Sequence, residues 1–478
     1  MSLLLRGGLV LDGDTTRAAD VLVEGERIVA IQVDLSKPEG AEVWELGGDL
    51  VVPGLVNAHY HSPDNLNTAL PPIAPLELWS LASVPSRGGT TEELRLAAVL
   101  GAAQLLRGGV TAVVDMVRPT PILTLEGLDA VASAYAEAGL RAAVAPVVVD
   151  LAVEQTLPLE DPPGAADSYG AGDGAEQLAV VEALFHKWHR PSGRIQVHVA
   201  PSGPQRCSDE LFSGAVELAR GLNTLLHTHA LETAAQAEQA RRRWGAPMLR
   251  HLDRIGALAP NTVLAHVVWP EPDEIALLAA SRAVAVHNPA SNCALGSGRA
   301  PLSAMLAAGV MVALGTDAAT CNDGLSMFEA MKLATILQRP FEPDWERWPT
   351  PRDAFRLATQ GGAAALGLAD QLGRVAPGYL ADLVVLDARA PAFVPPNDIL
   401  HQLVMRGGPD LVRHVFVAGR PVVRDRELLA LDWAAVADAA QAAAARRVPP
   451  ERPDGRLEAA IRRMLARMRG TNGARPAM

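Results

Sequence analysis

Residues 53–64 read PGLVNAHYHSPD. A proline–glycine turn feeds an apolar run, two histidines stand one residue apart, and Ser-Pro-Asp ends the run. Alternate side chains of an extended chain share a face, so His59 and His61 point together while Tyr60 points the other way. Among twelve histidines such a pair could be accidental, or it could be a pair of metal ligands at a strand end. The rest of the chain decides.

Seven further β-branched runs follow. They are VTAVVD (110–115), AAVAPVVV (142–149), IQVHVA (195–200), TLLHTH (224–229), TVLAH (262–266), AVAVHN (283–288) and VMVALGTD (310–317). Alanine- and leucine-rich stretches separate most of them, such as EELRLAAVLGAAQLLRGG, whose terminal glycines suit a helix stop. Strands alternating eight times with helices over about 250 residues or more predict a (β/α)8 barrel.

The flanks differ in texture. LLLRGGLVLDGD, ADVLVEGERIVAI and EVWELGGDLVVPG at the start, with GRVAPGYLADLVVLDA and VRHVFVAGRPVVRDREL late, are short β-rich runs broken by turn residues. The expected organisation is a small β-sandwich built from both chain ends (1–54 and 373–428) around a metal-dependent hydrolase barrel (55–372). A helical tail (429–478) follows, its helices joined by VPPERPDG and ending in a frayed GTNGARPAM. The fold class is α/β.

Composition narrows the partners. The chain has 478 residues, 49% apolar and 20% charged, enough for a large domain plus a small one. A net charge of −12 argues against nucleic acid or an anionic membrane as the main partner. Three cysteines without close spacing give no disulfide framework and suit a reducing compartment. The apolar part of MSLLLRGG is short for a signal peptide, and no run of about 18 apolar residues predicts a membrane span. A cytoplasmic protein is expected, its partners a small heterocyclic molecule and further copies of the chain (a dimer or larger).

Barrel chemistry sits at the C-terminal ends of the strands. His59, His61, His229, His266 and Asp317 all fall there. Three imidazoles and a carboxylate make a reasonable shell for Zn²⁺ or Fe²⁺. One strand histidine is more often a satisfied core residue than a ligand, but a set on successive strand tips is hard to produce by chance. Against the set stand local alternatives: Glu232 as a helix-start carboxylate, Asp317 as a turn or cap residue, and His227 as a rival ligand deeper on its strand.

The stretches VVPGLVNAHYHS, HTHALET, LAHVVWP, HNPASNCALGSGRAPL, ALGTDAATCNDGLSMFEAMKLAT and GRVAPGYLADLVVLD resemble the amidohydrolase superfamily. Within it they are similar to the metal-dependent heterocycle deaminases and triazine hydrolases. The resemblance runs to about residue 425 and implies that His59, His61, His229 and Asp317 bind one divalent metal, zinc or iron. It implies Glu232 as proton shuttle and His266 beside the activated water and substrate, with Asp317 also taking the water's proton. His287 and Asn288 are read as shaping the end of strand seven.

Binuclear members bridge two metals with a carboxylated lysine near the end of strand four. Here RIQVHVAPSGPQRC contains none, and the chain's three lysines (Lys37, Lys187, Lys332) lie elsewhere. One metal is expected. Zinc deaminases with a Cys-x-x-Cys site are excluded, since the chain has no such pair.

The resemblance implies hydrolytic deamination of an amino-substituted N-heterocycle (purine, pterin or triazine-like) by a metal-activated hydroxide, releasing ammonia. The same machinery would suit a C–Cl, C–NHR or cyclic amide bond. A third reading is a catalytically inactive barrel serving as a binding module; retention of the full residue set counts against it. Adenosine and thioadenosine deaminases of the family carry a histidine in a Pro-His-x-Pro stretch after strand four, where this chain has Ser202, with Gln205 and Arg206 nearby. It also lacks the Arg-Phe pair of guanine deaminases. Both departures weigh against those activities. The loop after strand one (62–89) is expected to form a lid in which Trp79 stacks on a flat ring and Glu77 bonds it, or in which both simply pack. Cys207 reads as a small buried filler.

Overall fold

The computed structural model describes residues 2–13, 15–86, 89–118, 123–161, 172–190, 193–446 and 455–472. Eight parallel strand positions alternate with helices, as the sequence predicts. Leu55–Tyr60, Val110–Val117 and Arg141–Val148 pair in order, and the third also pairs with the broken fourth strand, Ile195–Val197 and Ala200–Pro201. Leu226–Ala230, Thr262–His266, Val284–His287 and Met311–Leu314 form the other half.

The halves meet where the His227 N–H donates to the Val199 carbonyl (2.9 Å), and the ring closes where the Asp317 N–H donates to the His59 carbonyl (2.9 Å). Gly315 makes that closure possible, because a Cβ there would collide with Asn288 and His59. The helices begin with the caps the sequence supplies. Thr91–Arg107, for example, opens on a Thr90–Glu93 capping box.

A nine-stranded sheet takes strands from both chain ends. Leu50–Pro53, just before the barrel, pairs antiparallel with Leu383–Leu386, just after it. Leu3, Leu5, Val21, Ile28, Trp44, Val385 and Phe416 form the sandwich core. Arg141, at the start of barrel strand three, donates to both carboxylate oxygens of Asp382 at 2.9 and 3.0 Å in a buried ion pair. Losing one member would leave a buried charge unpaired, costing about 3–5 kcal/mol.

Two helices follow, Trp433–Ala445 and Gly455–Asn472. The expected VPPERPDG linker falls outside the described residues except for Gly455; of the expected frayed end, GTNGARPAM, residues 470–472 continue the helix and 473–478 fall outside the described residues. The segment after barrel strand one departs from a plain loop: Ser62–Leu66 is a short 3-10 turn and Leu76–Ser86 an α-helix. Pro71, Pro72 and Pro75 precede the helix, only Pro85 falls within it, near its end, and Leu78 and Leu81 gain an apolar surface to pack on. Among the described residues no helix is long and apolar enough to cross a membrane.

Candidate active site

Strand tips one, five, six and eight place His59, His61, His229, His266 and Asp317 around one point. The His61 Nε2 lies 3.3 Å from Asp317 Oδ1 and the His59 Nε2 lies 3.6 Å from it, while the His229 Nε2 is 3.3 Å from the His61 Nε2. The tautomers follow from the partners on the far side of each ring. His61 Nδ1–H donates to the Met116 carbonyl (2.7 Å), and His229 Nδ1–H donates to the Ser202 carbonyl. Each Nε2 therefore carries a lone pair toward the shared point.

Two lone pairs facing each other at 3.3 Å repel unless a cation lies between them. The His59 Nε2 is buried with no hydrogen-bond partner, and its Nδ1 is 3.3 Å from His227 Nε2. Ligand atoms of His59, His61 and His229, and of His59, His266 and Asp317, lie within 4.8 Å of one another in groups that could hold a metal ion. Burial holds the imidazoles of His59 and His229 well below their ordinary pKa and so neutral, as metal ligands require. Burial alone would raise Asp317, but the imidazoles of His61, His59 and His266 outweigh it and hold the carboxyl well below its usual range. Neutral imidazoles around one carboxylate fit a divalent cation. His227, the rival ligand, stacks behind His59 with its ring 5.4 Å away.

Neighbours fix these groups. Ser291 Oγ–H donates to Asp317 Oδ2 (2.6 Å), and His266 Nδ1–H donates to Asn292 Oδ1 (2.9 Å), turning the His266 Nε2 toward Asp317 Oδ2 at 3.7 Å. Buried Asp115 accepts from the Ser62 N–H (2.8 Å) and the Tyr135 hydroxyl (2.6 Å), pinning the turn after His61. Leu231, His266 and Asp317 all have left-handed backbone, with φ of 53°, 78° and 64°. Each such non-glycine residue costs on the order of 1–3 kcal/mol and is held only where its surroundings over-determine it. All three adjoin or belong to the reactive set.

Glu232 follows Leu231. Burial, added to by the charges of Asp317 and Glu77, pushes its pKa up to about 7 although His266 opposes the shift. Its Oε1 lies 3.8 Å from His266 Nδ1, and Gln236 Oε1 accepts from its backbone N–H (2.8 Å).

One pocket joins this cluster to Trp79, Ser202, Gln205 and Arg206. The Trp79 indole N–H donates to the Thr320 carbonyl (3.2 Å). Glu77, read as bonding a ring or as packing, accepts from the Thr233 hydroxyl (2.7 Å) and is not among the residues that line the pocket. Cys207 is buried and its thiol is pushed up to about 12, consistent with a filler. His287 also stays in the core, with burial lowering it to about 4.

Three participants escaped the sequence reading. Arg118 lines the pocket, and its only local signal was being the first charged residue beyond the tip of strand two. Ser291 and Asn292 lie four and five residues after His287, and Pro289 begins the short helix Pro289–Ala294 that carries them toward Asp317 and His266.

Residues 50–422 match the Amidohydrolase family. The chain is 34% identical to a 5'-deoxyadenosine deaminase of Methanothermobacter thermautotrophicus, over 93% of this chain and 98% of that one. It is 36% identical to a 5-methylthioadenosine/S-adenosylhomocysteine deaminase of Halobacterium salinarum, over 92% and 96% respectively. Among solved structures it is similar to a zinc-bound adenosine deaminase from Xanthomonas campestris (TM-score 0.81, 30% identity, 92% of this chain and 97% of that one). It is also similar to a zinc complex of atrazine chlorohydrolase from Arthrobacter aurescens TC1 (TM-score 0.83, 26% identity, 92% and 100%).

Proposed function

This chain belongs to the amidohydrolase family, and from that premise we propose that it is a zinc-dependent hydrolytic deaminase of a 6-aminopurine nucleoside or a closely similar amino-heterocycle. The observation that carries this reading is the convergence of His61, His229, Asp317, His266 and Glu232 on one pocket, with the His59 ligand atom buried among them. The relatives named for 5'-deoxyadenosine and 5-methylthioadenosine extend over nine tenths of the chain. They restore purine nucleosides to the front despite Ser202.

His59, His61, His229 and Asp317 would hold one divalent ion. When bound, it supplies Lewis acidity that lowers the pKa of water from about 15.7 toward about 7. Asp317 Oδ1 faces the ligand imidazoles and would hold the ion, while Oδ2, which accepts from Ser291 and faces His266 Nε2, is placed to accept the proton of the attacking water. Glu232, raised to about 7, can carry a proton at neutral pH and deliver it to a ring nitrogen, which makes the adjacent carbon electrophilic. His266, held through Asn292 with its Nε2 lone pair turned toward Asp317 Oδ2, stands beside the attacking water and is placed to accept a hydrogen bond from it, orienting it toward the substrate. Water adds to the C–NH2 carbon as Asp317 takes one of its protons and passes it to the amine; the C–N bond then breaks to release ammonia, and the remaining hydroxyl proton returns to Glu232 as the carbonyl forms.

Trp79 offers a flat face for the ring, and Ser202, Gln205, Arg206 and Arg118 form the polar wall around its substituents. Serine where the nucleoside deaminases resembled carry histidine favours a second reading, in which the same machinery displaces halide or alkylamine from a triazine-like ring. A panel of amino- and chloro-heterocycles, 5'-deoxyadenosine included, assayed with zinc-loaded protein separates the two. Ammonia from aminopurine nucleosides supports the first, and chloride or alkylamine without ammonia supports the second.

A further inference from the structure

We infer that the C-terminal helix, Gly455–Asn472, is a positioning element of the pocket, setting the placement of both Trp79 and Glu232. This rests on the reading of that pocket as the catalytic site. The helix Leu76–Ser86 presents two faces. Leu76, Trp79 and Ser80 line the pocket, whereas Leu78 and Leu81 join Ala460, Ile461, Met464, Leu465 and Met468 of the C-terminal helix in one apolar cluster. Ile461 is fully buried there.

An isolated helix of eleven residues is marginal in water, so what stands behind Leu76–Ser86 governs where Trp79 sits. The same cluster includes Ala234 and Ala235, which open the helix directly after Glu232 and Thr233. Thr233 in turn donates to Glu77 on the pocket-lining helix (2.7 Å). The C-terminal helix thus backs two segments that are already joined across the pocket mouth.

Arg467 adds polar ties. It donates to Glu160 (2.6 Å), to the Pro158 carbonyl (3.0 Å) and to Glu238 (3.2 Å) on the helix that follows Glu232. Three segments, after strands one, three and five, therefore converge on the last helix of the chain. None of the motifs that reveal the barrel or the reactive residues lies in it.

The test compares zinc-loaded full-length protein with Ile461→Asp, Ile461→Val and Arg467→Ala. Backbone hydrogen exchange is followed in 76–86 and 232–240, with 110–117 and 262–266 as barrel references. Ile461→Asp should raise exchange in both pocket segments at least about tenfold, leaving the barrel references and zinc content unchanged. Ile461→Val should restore the parent pattern, and Arg467→Ala, which leaves the apolar cluster intact, should give a smaller rise in the same segments. With 5'-deoxyadenosine as probe, KM should rise more than kcat falls. Unchanged exchange in 76–86 and 232–240 while 455–472 itself becomes unprotected would overturn the inference. If Ile461→Asp fails to fold, the Arg467→Ala exchange pattern decides. The exchange arm uses no substrate, so lack of turnover in the parent protein would count against the proposed substrate alone.

Discussion

His61 and Trp79 face the same pocket from one continuous stretch of chain, but what fixes them differs. His61 is held by the barrel's own ladder: its ring donates to the Met116 carbonyl on strand two, and Asp115 of that strand grips the Ser62 N–H. Asn57 of strand one bonds Thr316 through the backbone N–H (3.0 Å) and the hydroxyl (2.7 Å), tying strand one to strand eight beside Asp317. Trp79 rides on a helix held by the indole bond to Thr320, by the Thr233–Glu77 bond and by side chains from the far end of the sequence. The floor of the pocket is built by strand order, and its wall is built by long-range packing. On the proposed reading, the metal ligands, which need the tightest placement, lie on the first, and Trp79 and the proton-carrying Glu232 depend in part on the second.

That contrast predicts a graded series. Glu232→Gln should lower kcat by about 10²–10⁴-fold, the usual share of a general acid–base group, with bound zinc unchanged as read by metal analysis. Near-normal turnover would move the proton shuttle to another residue. Ser291→Ala touches only the support of Asp317 and should weaken zinc affinity about 10–100-fold, measured by competition with a chelator. An unchanged affinity would show that the floor does not depend on this hydroxyl.

Trp79→Ala should act on the wall alone. Loss of stacking worth about 1–3 kcal/mol predicts a KM roughly tenfold higher, with zinc affinity unchanged. A fall in zinc affinity instead would erase the distinction between floor and wall.

The same distinction explains what the sequence could reveal. His59 and His61 were legible because a strand has a period of two and ends at a turn, so local spacing alone gives their direction. Glu232, three residues past His229, was legible through the resemblance. Ser291 and Asn292 were not, because their roles depend on a short helix turning back toward strands six and eight. Glu77 stayed open between bonding a ring and packing for a similar reason: its partner, Thr233, lies after strand five, and no local pattern links the two. The helix at Leu76–Ser86 hid behind a proline-rich approach, and the apolar partner that fixes it lies almost four hundred residues later.

The most direct test is a zinc titration of metal-free protein, with ammonia release from 5'-deoxyadenosine and related amino-heterocycles read at each step. One ion held by His59, His61, His229 and Asp317 predicts activity that rises linearly to one equivalent per chain and then stays flat. A requirement for a second equivalent, or no ammonia from any amino-heterocycle at full loading, would contradict a single-metal deaminase site.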